Sequence, residues 1–357
     1  MSERSLLASN QSSLFSNLQS KGRALESPDH HIWGASPILD EQGKVHLFYS
    51  RWTNRASHYG WVLCCEVAHS VSNSPEGPFK FVNVALTTDG DDSWDGWSIH
   101  NPTIHKTDDG YVMFYMGSCG KELGISRNEL IQLSIDDKEK FWPYFHALVA
   151  TKAVGGAVSK SLDGPWEKIG TIALVAPGIQ GQWDDFVTSN PAYLHHPNGE
   201  HWLYYKAWNK KSAEFNNGNR QYGLAIAQKI EGPYIKVDSN PLIDFSHLGP
   251  SVQCEDAYVF MLGNRFHMLT RDMGYFDNQV GLHFQSVDGL DWGLPKIAFR
   301  KASEHMGNID YESNFDRQGV LERPQVLMID QKPAYLYCCC VGGHYHTSSS
   351  VILKIGD

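Results

Sequence analysis

Five stretches of the chain set carboxylates beside amides, imidazoles or indoles just ahead of an apolar strand pattern. They carry Asp29, His30, His31 and Trp33; Trp94, Asp95, Trp97, His100 and Asn101; Trp183, Asp184, Asp185 and Asn190; Glu255 and Asp256; and Glu322 and Arg323. Such groups against apolar strands are costly to bury unless they bind something. Planar Asn, Asp, Glu and Arg side chains make paired hydrogen bonds to vicinal hydroxyls, and an indole face covers the C–H side of a pyranose. Breaking a glycosidic bond needs two carboxyl groups, one to protonate the leaving oxygen and one to act as base or nucleophile. The competing use of each residue is turn capping, because Asp and Asn ahead of a strand commonly bond nearby backbone amides.

Glu255 is the leading proton donor, since burial in its Cys254-Glu255-Asp256 setting raises a carboxyl pKa. Asp185 is expected as base or pKa modulator, with Asp184 as the alternative one residue away. Asp29 is a third catalytic candidate, unless His30 or His31 beside it carries the function. His100, next to Asn101, either transfers a proton, bonds substrate, or is a histidine satisfied by backbone. Arg51, Lys206 and Arg323 emerge at strand ends, where they are placed to pair with an anionic sugar or a catalytic acid. Trp33, Trp52 and Trp97 are candidate platforms or core residues. His31, Asn101, Asn190, Asp256 and Glu322 complete the expected substrate-binding set.

Residues this scattered meet only if the fold repeats, and it does. Ser36-Pro37-Ile38-Leu39, Asn101-Pro102-Thr103-Ile104, Asn190-Pro191-Ala192-Tyr193, Asp256-Ala257-Tyr258-Val259 and Arg323-Pro324-Gln325-Val326 each lead through a turn into an aromatic-rich run. Their starts are 65, 89, 66 and 67 residues apart. Between them recur a strand ending in small residues and a Gly-Pro-aromatic turn, at Gly77-Pro78-Phe79, Gly164-Pro165-Trp166 and Gly232-Pro233-Tyr234, with a looser copy ending at Trp292. Four strands per unit in five units predict an all-β, five-bladed β-propeller, whose inner strands converge on one mouth; a β-sandwich with coincident spacing is the alternative. The long interval holds an insertion at 121–149 that loses strand alternation and is expected to cover one face. Residues 1–24 read as a polar arm or a homodimer contact, and 25–357 as one domain.

Of the 357 residues, 41% are hydrophobic and 20% charged, which describes a globular chain, and 30 Lys and Arg against 40 Asp and Glu leave a net charge of -10. Without a basic run, nucleic acid is not expected as a partner. No apolar stretch is long enough for a membrane span or a leader, and seven cysteines, an odd count with Cys64-Cys65 adjacent and Cys338-Cys339-Cys340 consecutive, read as buried thiols, so the expected location is cytoplasmic. No cofactor or metal ligand is assigned, although seventeen histidines leave a structural cation open.

On the blade repeat, the Gly-Pro-aromatic turns, and Glu255-Asp256 and Glu322-Arg323-Pro324 at blade starts, residues 25–355 resemble the five-bladed propeller glycoside hydrolases, broadly families 43, 62, 32 and 117. Family 43 members usually open blade one with an Asp-Pro pair holding the general base, where this chain has Ser36-Pro37. Family 117 looks nearer, with acidic groups from blades one, three and four and an acid role for histidine. Asp29 with His31, Asp185 and Glu255 occupy comparable places, but Cys254 stands beside Glu255 where a histidine would. The resemblance implies an exo-acting glycosidase on small oligosaccharides. A non-catalytic carbohydrate-binding propeller and a propeller phosphorylase are the alternatives.

Overall fold

Strand-forming aromatic and β-branched runs, cut by Gly-containing turns, fold into five four-stranded antiparallel sheets. The computed structural model describes residues 10–90, 92–212, 219–306 and 319–356. The inner strands of blades one to five are His30–Leu39, Ser98–Thr107, Val187–His195, Gln253–Leu262 and Glu322–Ile329. They are buried along most of their length and surround one axis, which makes the molecule a five-bladed β-propeller and removes the sandwich alternative. No helix among the described residues is long and apolar enough to cross a membrane. All seven cysteines are free thiols, five of them buried.

The expected N-terminal arm is largely absorbed into the propeller. Leu18–Leu25 is the outermost strand of blade five and pairs antiparallel with Ser348–Ile355, Leu18 opposite Ile355. Ahead of it, Ser12 Oγ lies 2.7 Å from His283 Nδ1 in blade four. Residues 1–9 of the arm lie outside the described residues. The first strand thus closes the ring against the last, hiding edges that would otherwise stay unpaired.

The insertion is helical. α1 (Arg127–Asp136) and α2 (Lys138–Val149) leave blade two between its second and third strands. A capping box of Ser126 and Glu129 starts α1. Leu130, Phe141 and Leu148 then pack against Val62, Leu63 and Trp97, anchoring the pair over one end of the propeller.

Each inner strand is bulged at the same place. Gly34, Asn101, Asn190, Asp256 and Arg323 have φ of 58°, 56°, 44°, 66° and 51°, inside register breaks at Trp33/Ser36, His100/Thr103, Ser189/Ala192, Glu255/Tyr258 and Glu322/Gln325. Gly34, and not Ser36, is therefore the blade-one equivalent of Asn101, which lengthens the first repeat interval from 65 to 67 residues. Glycine, Asn and Asp tolerate this left-handed backbone best, and Arg323 holds it through bonds around the axis. Asn101 Nδ2 donates to Asn190 Oδ1 at 3.2 Å, Asn190 Nδ2 to Asp256 Oδ1 at 2.5 Å, the Arg323 amide to Asp256 Oδ2 at 3.2 Å, and Arg323 Nη2 to the Asn101 carbonyl at 3.0 Å. One layer further along the strands, Ser36 Oγ and Thr103 Oγ1 donate to Gln325 Oε1 at 2.9 and 3.3 Å and plug the channel.

A Cβ on Gly34 would stand 3.0 Å from Asn101 Oδ1 and 3.7 Å from Arg323 Nε. Gly34→Ala combines that crowding with a positive φ and is expected to cost about 1–2 kcal/mol. Thermal or denaturant unfolding measures it; an unchanged midpoint would mean the ring yields freely.

Burial holds several imidazoles neutral: His31, His69 and His267 fall to about 4, and His105 and His283 to about 3. The unfolded chain then binds protons that the folded chain refuses. Stability is therefore expected to fall progressively as pH drops from about 6.5 toward 4, since the unfolded-state value is about 6.5. Melting curves across that window test it.

Candidate active site

Above the ring of bulges opens a cavity of about 990 Å³. A bulge re-aims the side chain beside it, and of the residues just before the five bulges, Trp33, His100, Glu255 and Glu322 line the cavity, while Ser189 does not. Asn101, Asn190 and Asp256 face it from the ring. Trp52, Trp61 and Trp208 add aromatic wall, and α2 closes one side with Trp142, Phe145 and His146.

Among the described residues the cavity's carboxylates come from blades four and five, and their electrostatics reverse one expectation. Burial does push Glu255 upward, but Lys206 Nζ at 2.8 Å, Arg220 Nε at 3.1 Å and Arg271 Nη1 at 2.8 Å outweigh it and hold the carboxyl well below its usual range. Glu255 is thus ionised and is no proton donor at neutral pH. The carboxyl that titrates nearest neutrality is its neighbour. Burial, with the charges of Glu255 and Glu322, lifts Asp256 to about 6 against the opposing pull of Arg323 and Lys206. Glu322 Oε2 accepts from Arg271 Nη1 at 3.0 Å. His100 is driven well below 6.5 by burial and then by Arg323 and Lys152; its Nδ1 lies 3.3 Å from Cys65 Sγ. It is held as a neutral imidazole.

Nine of the expected site residues therefore meet in the cavity: Trp33, Trp52, His100, Asn101, Asn190, Lys206, Glu255, Asp256 and Glu322. Arg323 lies beneath them in the ring. The others are elsewhere. Asp29 is exposed, and its carbonyl accepts from the Asn54 amide. Asp185 accepts from the amides of Gly181 at 2.6 Å and Lys210 at 2.7 Å, the turn-capping use. Asp184 and its repeat mate Asp95 brace their blades: Asp184 Oδ2 takes Tyr205 Oη at 3.0 Å and Lys236 Nζ at 2.5 Å, and Asp95 Oδ2 takes Tyr115 Oη and Lys168 Nζ, each at 2.9 Å. His31 stacks behind Trp52 with ring centroids 5.1 Å apart, its Nδ1 3.2 Å from Ser348 Oγ. Trp97 packs under the insertion. Arg51 pairs with Glu66 at 2.7 Å. Its blade-one register partner is Ile32, whereas Lys206 opposes Ser189, the position equivalent to Trp33. Arg51 is thus one residue out of step with Lys206 and on the other face.

Sequence reasoning passed over Lys152, Trp208, Arg220 and Arg271. Arg271 has a signal, as the cross-strand partner of Glu255, and Trp208 lies two residues beyond Lys206 on the same strand face. Lys152 has none, because it sits where the insertion rejoins blade two. Glu255, Asp256 and Glu322 place ligand atoms within 4.8 Å of one another, but Lys206, Arg220 and Arg271 already compensate that charge, so the set suits a divalent ion poorly. A second group with metal-ligand spacing, His46, His69 and Asp163, contributes no residue to the cavity.

Solved structures share this architecture. The chain is similar to Zg3597, a family 117 glycoside hydrolase of the marine bacterium Zobellia galactanivorans, at 19% identity over 96% of this chain and 90% of that one, with a TM-score of 0.64. The fold is that of the five-bladed propeller glycoside hydrolases. The same propeller is seen in an endo-arabinase from Bacteroides thetaiotaomicron, at 12% identity over 94% and 98% of the two chains and a TM-score of 0.57. It recurs in fructan 1-exohydrolase IIa from Cichorium intybus, at 14% identity over 93% of this propeller and 56% of that chain, with a TM-score of 0.59. No protein-family model and no curated protein matches the chain.

Proposed function

We propose that the protein is a glycoside hydrolase that removes sugar units from the end of small oligosaccharides. The observation that carries this reading is the pairing, in one aromatic-walled cavity, of a carboxyl held at about 6 with a carboxylate held ionised beside it. Asp256 is the proton donor to the leaving oxygen. Glu255 is the fixed negative charge that keeps the proton on Asp256, and Glu322 attacks or stabilises the anomeric carbon. One oxygen from each of the three lies within 4.8 Å of the others, nearer the carboxyl spacing of about 5–5.5 Å in retaining enzymes than that of about 6.5–9.5 Å in inverting ones, which favours retention of configuration. Closure by α2 on one side favours exo over endo action.

Glycosidase action is tested by incubating the protein with a panel of oligosaccharides and following products by mass. Release of monosaccharide from the first time point supports exo cleavage, and mixed oligomers oppose it. A second reading, a propeller that binds carbohydrate without cleaving it, is favoured by Gly34, Asn101 and Asn190, which among the described residues leave blades one to three without a carboxylate in the cavity. Saturable sugar binding with no product across the panel would select it.

A further inference from the structure

The cavity is more positive than the reaction requires. Lys152, Lys206, Lys210 and Arg220 line it, and Arg271 and Arg323 lie against its carboxylates, so among the described residues six cations meet three carboxyl groups, one of which titrates at about 6. The whole chain carries -10, so this excess is local and opposes the overall charge. Lys206, Arg220 and Arg271 are accounted for by Glu255. Lys152 is not. It is 4% exposed, and no carboxylate among the described residues forms an ion pair with it. Its Nζ instead lies over two indole faces, 5.4 Å from the centroid of Trp61 and 4.9 Å from that of Trp208. A buried ammonium without an anion is costly, and burial with the neighbouring Lys206 and Arg220 pulls its pKa well below 10.5. An arriving anion would relieve both the desolvation and the repulsion.

Resting on the glycoside hydrolase reading for its sugar, we infer that the cavity takes an anionic glycoside, with a carboxylate or sulfate on the sugar seated against Lys152 between Trp61 and Trp208. The two indoles hold the ammonium in place and present flat surface to the ring that bears the acid group. Charge then selects among sugars of one shape, because a neutral sugar leaves Lys152 unpaired.

Tryptophan fluorescence titrations of the full chain test this. D-glucuronate, D-galactose 6-sulfate, D-glucose, D-galactose and inorganic phosphate serve as probes. At least one of the two anionic sugars is expected to bind about tenfold or more tightly than its neutral counterpart, and more weakly as salt rises. Which one does so tells carboxylate from sulfate. Lys152→Met should bring that ratio to within about twofold of unity, and Lys152→Arg should keep most of it. Lys152→Met breaks no ion pair, and the contacts it gives up over Trp61 and Trp208 are offset by the buried charge it removes, so its melting point should stay close to that of the wild type, and a melting curve separates lost recognition from lost fold. Equal binding of charged and neutral sugars, no response to either anionic sugar, or an anion preference that survives in Lys152→Met would each overturn the inference. Phosphate that binds as tightly as the anionic sugars and accelerates cleavage would overturn it in favour of a phosphorolytic enzyme. The titration reads binding alone. Anion-selective binding without cleavage therefore counts only against hydrolysis, and cleavage without anion preference counts only against the Lys152 subsite.

Discussion

Asp256→Asn is expected to lower turnover of an unactivated oligosaccharide by about 100- to 10,000-fold, because the amide cannot supply the proton that the leaving oxygen needs. An aryl glycoside with an acidic leaving group should lose far less. The same variant turns one carboxylate oxygen into a donor, facing either the Asn190 amide or the Arg323 backbone amide, both of which now donate to Asp256. A stability loss of about 1–3 kcal/mol should accompany it. Kinetics on the two substrate classes, with unfolding measured on the same preparation, separate the effects. Wild-type turnover of the unactivated substrate would remove Asp256 from the donor role. In the wild type, activity should decline as pH rises through about 6, as Asp256 loses its proton.

Glu255→Gln is expected to act differently, although the residues are adjacent. It leaves Lys206, Arg220 and Arg271 without the charge they surround, and breaking a buried set of this kind costs about 3–5 kcal/mol. It also removes a charge that holds the proton on Asp256, so the alkaline limb of the rate profile should move to lower pH and activity should recover partly on acidification. The measurement is a pH–rate profile beside a denaturant curve. A variant with wild-type stability and an unmoved alkaline limb would contradict the electrostatic account of the cluster.

The propeller was legible because its turn chemistry recurs: Gly-containing hairpins mark blades one to four, Gly-Pro-aromatic corners mark blades one to three, and a looser copy marks blade four, in much the same order. The site was legible only where function and repeat coincide, as at Asn101, Asn190, Glu255 and Glu322. Blade one misled because Ser36-Pro37 mimics Asn101-Pro102, while the backbone places its bulge at Gly34, two residues earlier. Asp29 and Asp185 misled because an acid ahead of a strand serves a turn as readily as a substrate. The sign of the Glu255 shift depends on cations from the second strands of blades three and four and from Arg220 before the third strand of blade three. Charges that distant in sequence become neighbours only through strand register.

The pairing of Leu18–Leu25 with Ser348–Ile355 makes the site a late product of chain synthesis. As a nascent chain leaves the ribosome, blades one to four can form in turn, but blade five stays a three-stranded sheet until its outer strand, made first, is captured by the strand made last. Until then the aromatic wall of blade one and the carboxylates of blades four and five belong to an open arc. The loop-closure entropy of so long a connection grows only logarithmically with length, so the delay is one of timing more than of energy. An assembled cavity thereby reports that the circle has closed, and a chain stalled before Ser348 would carry nearly every residue of the cavity without assembling it.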